Sequence, residues 1–272
     1  MKRIEKLIHS GALRRLLILI CLVGLILAVW ATAVGAAPAM PLIAKVFMIL
    51  WLALAVVALV LIVPADFAAG FLIALLAFLV GWRLAGLYGL DRVSYPLIAV
   101  FVAFLALFFD TARRNLRSPR LGPAADPLRQ SAVEWHLTVV RIYVGLDIVP
   151  HFTEKLFAGP GPRMADIAAF AKLGVPAPEF FVLLAGACEL GVAIGVGLGL
   201  LTRLAAVCSV LYMMIATIIG NHFALGFIWA SPGGGWEYPV LWSVLLLSFA
   251  YAGAGRFSLD HAILQRFAVP AW

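Results

Sequence analysis

Long apolar runs recur along the chain, separated by short segments that carry the charges and most of the prolines. A helix needs about 20 mostly apolar residues to cross the hydrocarbon core of a bilayer. On this basis the sequence predicts eight membrane helices, at residues 16–34, 42–63, 67–88, 94–111, 135–153, 179–200, 203–221 and 238–254. Strand signals are absent from the pattern, so we expect an all-α fold, a polytopic membrane helical bundle.

Composition supports a membrane protein. The chain has 65% hydrophobic and 12% charged residues, whereas soluble domains are about 25% charged. The formal net charge is +7, but the basic residues gather beside the apolar runs, where they meet anionic lipid. We therefore expect the lipid bilayer as a partner and no nucleic acid.

Basic residues form two clusters that predict the topology. With eight crossings both clusters fall on one side, and the positive-inside rule makes that side, with both termini, cytoplasmic. The clusters consist of Lys2, Arg3, Lys6, Arg14 and Arg15, and of Arg113, Arg114, Arg117, Arg120 and Arg129. The second cluster divides the chain into a four-helix membrane half (1–112), a basic cytoplasmic linker (113–132) and a second four-helix half with a short cytoplasmic helix (133–272).

The segment 139–157, VVRIYVGLDIVPHFTEKLF, carries the main candidate site. Read as a helix at about 100° per residue, Asp147, His151 and Glu154 fall within roughly 60° of one another. Such a face is costly in lipid and must point toward protein or water. Pro150 lacks an N–H, so the carbonyl of Leu146 loses its helical partner and the helix should kink or loosen there.

A lone carboxylate in the sixth predicted span, Glu189, is the second candidate. Its position near the bilayer midplane requires a partner, and Arg141 or His222 is a candidate for that role. Further along the span, Gly191, Gly195 and Gly199 form a stripe that predicts close approach of another helix.

The outer loops supply further polar groups. His222 ends the seventh span, and Trp236 and Glu237 begin the eighth. We expect His222 and Glu237 to converge with Asp147, His151 and Glu154 beneath the outer loops. Between the fifth and sixth spans, residues 163–173 predict a short amphipathic helix, with Gly174 at its C′ position. Ser258 predicts the N-cap of the last helix.

Several motifs in the second half resemble the DoxX family of small membrane proteins. They are HFTEKLF, FAKLGVPAPEFF, CELGVAIGVGLGLLTRLAA, GGGWEYP and GAGRFSLD, spread over residues 139–263 in the family's order. The resemblance implies a four-helix membrane unit in the bacterial inner membrane with a redox association. Some members resemble the quinone-reducing membrane subunit of a thiosulfate:quinone oxidoreductase, and others accompany metal-handling proteins.

The leading functional hypothesis is a quinone-linked electron-transfer subunit. An imidazole titrates near neutral pH, so His151 is suited to bind a quinone carbonyl and pass a proton. Asp147 would orient that ring, and Glu154 or Glu189 would relay protons. The candidate quinone-binding residues are His222, Trp236, Glu237 and Arg141. Since the sequence contains no haem or iron–sulfur motif, electrons would come directly from a donor, from bound quinol or from a partner subunit such as a soluble redox protein.

Two alternatives stay open at the level of sequence. Asp147, His151, Glu154 and His222 are also a ligand set compatible with zinc or iron, which predicts a metal-binding or metal-handling protein. The other alternative is a non-catalytic anchor or assembly subunit for a redox partner. The sequence is also compatible with a homo-oligomer.

Overall fold

The computed structural model describes residues 11–35, 40–117 and 127–267, and every regular element in those ranges is a helix. The predicted all-α class is confirmed. Of the predicted basic clusters, Lys2, Arg3, Lys6 and Arg120 lie outside the described residues, as does the linker segment 118–126. The chain divides into two compact units, Met1–His136 (the first unit) and Leu137–Trp272 (the second unit).

The helices follow one another through short turns. Three of the described α-helices each continue directly into a π-helical stretch, in which a backbone N–H bonds to the carbonyl five residues back instead of four. In chain order they are α1 (Gly11–Val34), α2 (Leu42–Val57, then π-helical Ala58–Ile62), α3 (Phe67–Leu87), α4 (Asp91–Arg117), α5 (Pro127–Leu146), α6 (Val149–Phe152, then π-helical Thr153–Phe157), α7 (Pro160–Lys172), α8 (Pro178–Val192, then π-helical Ala193–Gly197), α9 (Thr202–Ile219), α10 (Glu237–Ala252) and α11 (Leu259–Phe267).

Six of these helices are long and apolar enough to cross a membrane: α1, α2 with its π-helical end, α3, α4, α8 with its π-helical end, and α9. The chain is therefore a polytopic helical membrane protein. The remaining two predicted spans differ from that pattern. The span at 135–153 is interrupted between α5 and α6, and α10 has only 16 residues.

In the first unit, α3 is the central helix, since 61% of its most apolar stretch is buried, against 28% for α1 and for α2. The Asp66 carboxylate begins α3 by accepting a hydrogen bond from the N–H of Ala69 (2.9 Å). Phe78 is fully buried, and its ring centroid lies 5.5 Å from that of Phe104 on α4. Aromatic contact between α3 and α4 thus builds this core.

In the second unit, a fully buried arginine holds three segments together. Arg141 on α5 donates from Nη1 to the carbonyls of Val196 and Gly197 (both 2.7 Å) and from Nη2 to the carbonyl of Phe257 (2.5 Å). A guanidinium carries five donors in a rigid fork. It therefore ties α5 to the end of α8 and to the segment before α11.

The closest helix approach in this unit lies beside that arginine. A Cβ on Gly145 of α5 would overlap the backbone nitrogen of Gly197, so only glycine permits the contact. The glycine stripe predicted on α8 is partly wrong. A Cβ added to Gly191 would meet no atom within 4 Å, whereas Gly195 packs against Ala205 of the following helix.

Two local motifs confirm the sequence-based predictions for the surface helices. Helix α7 ends in a Schellman motif, in which the N–H of Val175 donates to the carbonyl of Phe170 (3.1 Å) and Gly174 has φ +78°. Ser258 caps α11 by accepting from the N–H of His261 (3.2 Å). Asp260, two residues further along α11, caps a different helix. Its carboxylate accepts from the N–H groups of Leu201 and Thr202 at the start of α9.

We expect Arg141→Ala to lower the free energy of unfolding by about 2–4 kcal/mol, because it leaves buried carbonyls without donors. Thermal unfolding of the purified protein, followed by tryptophan fluorescence, measures the loss. Arg203→Ala is the matched control. Arg203 also donates to a carbonyl, that of Ala250 at 3.1 Å, but it is exposed. Equal losses in the two variants would contradict a special role for Arg141.

We expect Gly145→Ala to destabilise the protein by about 1–3 kcal/mol, since its methyl group forces two backbones apart. In contrast, Gly191→Ala should be neutral or stabilising by up to about 1 kcal/mol, because alanine favours a helix and space is available. The same unfolding measurement compares the two variants. The close helix contact is refuted if Gly145→Ala is as stable as Gly191→Ala.

Candidate functional site

The predicted site helix is not continuous. Helix α5 ends at Leu146, and Asp147 and Ile148 form a turn before Pro150 enters α6 at its beginning. The N–H of His151 then bonds three residues back, to the carbonyl of Ile148 (3.1 Å). The helix therefore breaks at Leu146, as Pro150 predicts.

A π-helical turn follows immediately and changes which side chains face inward. The N–H of Ala158 donates to the carbonyl of Thr153, five residues back (2.9 Å). An additional residue in a turn rotates the flanking positions by about 100° relative to an uninterrupted α-helix. In this segment Lys155 is buried, whereas His151 is exposed and Glu154 is half-buried.

The main polar group inside the second unit is built by Lys155, Glu189 and Tyr212, which we name the acid–base group. Lys155 Nζ lies 3.1 Å from Glu189 Oε2, and the Tyr212 hydroxyl donates to Glu189 Oε1 (2.7 Å). The side chains of Lys155 and Glu189 are only 9% and 6% exposed. Lys155 Nζ also donates to the carbonyl of His151 (3.3 Å).

Glu189 thus has the partner that its depth requires, but the predicted identity of that partner was wrong. Arg141 binds the carbonyls described above, and His222 Nδ1 lies 3.0 Å from the carbonyl oxygen of Gly234. Helices α6, α8 and α9 each contribute one residue to the acid–base group. The carboxylate therefore sits between a cation and a phenol, in a position to exchange a proton with its neighbours.

A second polar group lies where α5 ends and α10 begins. The Tyr238 hydroxyl donates to Asp147 Oδ2, and the Tyr238 ring lies 5.5 Å from that of Trp229. The His222 ring also packs on Trp229, with the two ring centroids 5.5 Å apart. The backbone N–H of Trp229 donates to Glu237 Oε2 (3.2 Å). We name these five residues the loop group. It brings together Asp147, His222 and Glu237, three of the five residues that the sequence predicts to converge.

Trp236 lies beside this group, with its ring 4.7 Å from that of Phe227. The Trp236 N–H donates to the carbonyl of Gly226 (3.1 Å). A Cβ on Gly235 would lie 2.5 Å from that same carbonyl oxygen. The tight backbone pairing explains why glycine stands at this position of the loop.

His151 and Glu154 lie near the acid–base group, since the carbonyl of His151 accepts from Lys155 Nζ and both residues lie within electrostatic range of Asp166. The surface helix α7 approaches them, because Arg163 donates to the carbonyls of Lys155 (2.8 Å) and Leu156 (3.2 Å). One turn further along α7, Asp166 lies within electrostatic range of Lys155, Glu154 and His151. Burial raises the pKa of the Asp166 carboxyl above its ordinary value, and the Lys155 charge opposes that rise.

The predicted metal ligands do not come together as a set. In the part of the chain that the structure describes, no group of three or more His, Cys, Asp or Glu side chains is placed to hold a metal ion. The loop group instead uses Asp147 and His222 in hydrogen-bonding and ring contacts.

Sequence reasoning missed four residues of these groups: Lys155, Tyr212, Trp229 and Tyr238. Lys155 was detectable, since a lysine within an apolar run demands a counter-ion. The tyrosines carried a weaker signal, because a tyrosine in a membrane helix is usually read as an interfacial residue.

Comparison with known proteins places the second unit in a family. The DoxX family model matches residues 136–222, a range that includes the whole acid–base group. The motifs GGGWEYP and GAGRFSLD lie beyond that match. The chain is also 30% identical over 139 residues to an uncharacterized membrane protein of Mycobacterium tuberculosis, in an alignment that covers 47% of this chain and 80% of that protein. No solved structure matches the chain. On these matches, the chain belongs to the DoxX family.

Proposed function

We propose that this protein is the membrane subunit of a quinone-linked redox system, in which Glu189 exchanges the protons that accompany quinone reduction. The observation that carries the proposal is the buried acid–base group, with Lys155 and Tyr212 both on Glu189. A buried ion pair is weak evidence for stability, because apolar residues of similar size often stabilise a protein as well or better. Ionisable residues inside membrane segments instead mark sites of function.

Quinone reduction supplies the chemical reason for such a group. Each quinone takes up two electrons and two protons to become a quinol, so titratable groups are needed beside an apolar, lipid-accessible surface. Glu189 would give and receive the proton, Lys155 would stabilise its anionic form, and the Tyr212 hydroxyl would hold the carboxylate in position. Exposed apolar side chains on α9, Leu211 and Ile215, flank Tyr212 in sequence.

The remaining predicted residues have places in this proposal. His151 is exposed and follows the helix break, so its imidazole would transfer protons between water and the pair of Lys155 and Glu189. Glu154 and Asp166 would share that route. The loop group, with Asp147, His222 and Glu237 beside the Trp236 ring, would shape the outer entrance. Electrons would come from a soluble partner, since the sequence carries no haem or iron–sulfur motif.

The proposal includes a bacterial inner-membrane location, with eight crossings and both termini cytoplasmic. Two contacts support an up-and-down arrangement within the units. In the first unit, Arg14 near the start of α1 lies over Phe67, which begins α3 (3.6 Å). In the second unit, the end of α5 meets the start of α10 through Asp147 and Tyr238. In this arrangement α5–α6 and α10 complete the set of crossings.

We expect Glu189→Gln to abolish the protonation change that accompanies quinone reduction. The test uses full-length protein in lipid nanodiscs with a short-chain ubiquinone analogue. Electrochemical reduction followed by infrared difference spectroscopy should show a carboxyl signal that Glu189→Gln removes. Glu179→Gln is the matched control, since Glu179 begins the same helix but is exposed. If both variants keep the signal, or if no quinone binds, the proposal fails.

A paired substitution separates function from stability. Glu189→Leu alone should destabilise the protein by about 3–5 kcal/mol, because Lys155 keeps a buried charge without its partner. Adding Lys155→Met should recover most of that loss. If the acid–base group is functional, the double variant is stable yet lacks the infrared signal. A stable double variant with the wild-type signal would make the group purely structural.

We expect opposite accessibility at two loop positions. In a background without native cysteines, Ser118→Cys should react with a membrane-impermeant thiol reagent only from the cytoplasmic side. Ala230→Cys, in the exposed loop after α9, should react only from the outer side, as the positive-inside rule requires. Labelling of both positions from one side of intact cells would contradict the eight-crossing topology.

A further inference from the structure

Two arginines are held at the C-terminal end of α4 by a single carboxylate. Arg113 Nη2 lies 3.2 Å from Asp110 Oδ1, and Arg114 Nε lies 2.7 Å from Asp110 Oδ2. The Asp110 side chain is 5% exposed, whereas those of the arginines are 35% and 36% exposed. The buried carboxylate therefore fixes two guanidiniums that reach the surface.

A third arginine joins them from α1. The Arg14 guanidinium carbon lies 3.6 Å from the centroid of the Phe67 ring, in a cation–π contact. Arg14 also lies within electrostatic range of Arg114 and Asp110. We name Arg14, Arg113 and Arg114 the arginine cluster. The Asp110 carboxylate pairs with two of these three guanidiniums.

We propose that the arginine cluster binds the phosphate of an anionic phospholipid. Guanidinium groups match phosphate oxygens with paired donors. Asp110 and Phe67 already hold these side chains in place, so binding costs less side-chain entropy than at mobile arginines. The phosphate would also reduce the repulsion between three like charges. Two helices of the first unit would thereby share one lipid head group.

Both helices carry exposed apolar side chains on the membrane side of the cluster, where the acyl chains of a bound lipid would lie. On α1, Leu16 and Leu19 follow Arg14 and are 50% and 55% exposed. On α4, Leu105 and Phe109 precede the arginines and are 42% and 64% exposed. Acyl chains attached to a bound phosphate would lie along these side chains.

Native mass spectrometry of the full chain in detergent tests the proposal. The probes are phosphatidylglycerol and phosphatidylcholine with identical acyl chains. We expect phosphatidylglycerol to bind more tightly, and Arg14→Gln or Arg113→Gln to weaken its first binding event about tenfold, as loss of one charge-assisted contact implies. Arg92→Gln is the matched control, because Arg92 is exposed near the opposite end of α4.

Each other outcome overturns the proposal. Equal binding of the two lipids would show that the site has no preference for a net anion. An equal loss of phosphatidylglycerol affinity in Arg92→Gln would show that only the overall charge of the protein matters. Displacement of the lipid by inorganic phosphate alone would assign the site to the free ion. If Arg14→Gln lowers the melting temperature, Arg14→Lys replaces it. That variant keeps the charge without the fork and should bind more weakly than wild type but more tightly than Arg113→Gln.

Discussion

The second unit depends on one buried guanidinium. Arg141 satisfies carbonyls that the end of α8 and the segment before α11 leave without helical partners. Because these bonds fix α5 against α8, Gly145 and Gly197 come into backbone contact. The same register then sets the position of α6 relative to α8. Lys155 meets Glu189 as a consequence, so the acid–base group rests on a contact made elsewhere in the unit.

Structural features that a short stretch of sequence specifies by itself were predicted correctly. Apolar runs of membrane length identify the six long helices, because lipid selects for length and apolarity in each segment separately. Gly174 and Ser258 specify helix ends through local hydrogen bonds, which need no information from distant residues. Pro150 likewise marks the helix break at Leu146, since the missing N–H acts within one turn.

Partners across helices were beyond such reasoning. A helical wheel places Asp147, His151 and Glu154 on one face, but the break and the π-helical turn alter the rotation between them. Glu189 required a cation, and the choice among Arg141, His222 and Lys155 depends on packing between helices. Arg141 binds backbone carbonyls, and the side chains of the residues that carry them do not indicate this role in the sequence.

The two units manage charge in different ways. In the first unit the described arginines near α4's end lie at the surface, anchored by a buried carboxylate and an aromatic ring, where phosphate can neutralise them. The second unit instead places a cation and an anion together in its interior, at a desolvation cost that their attraction repays only with good geometry. Tyr212 supplies an additional hydrogen bond to that carboxylate. Lys155 also lies within electrostatic range of Asp166 on α7, as does the exposed His151, so the α6–α7 surface connects the buried pair to groups that water can reach.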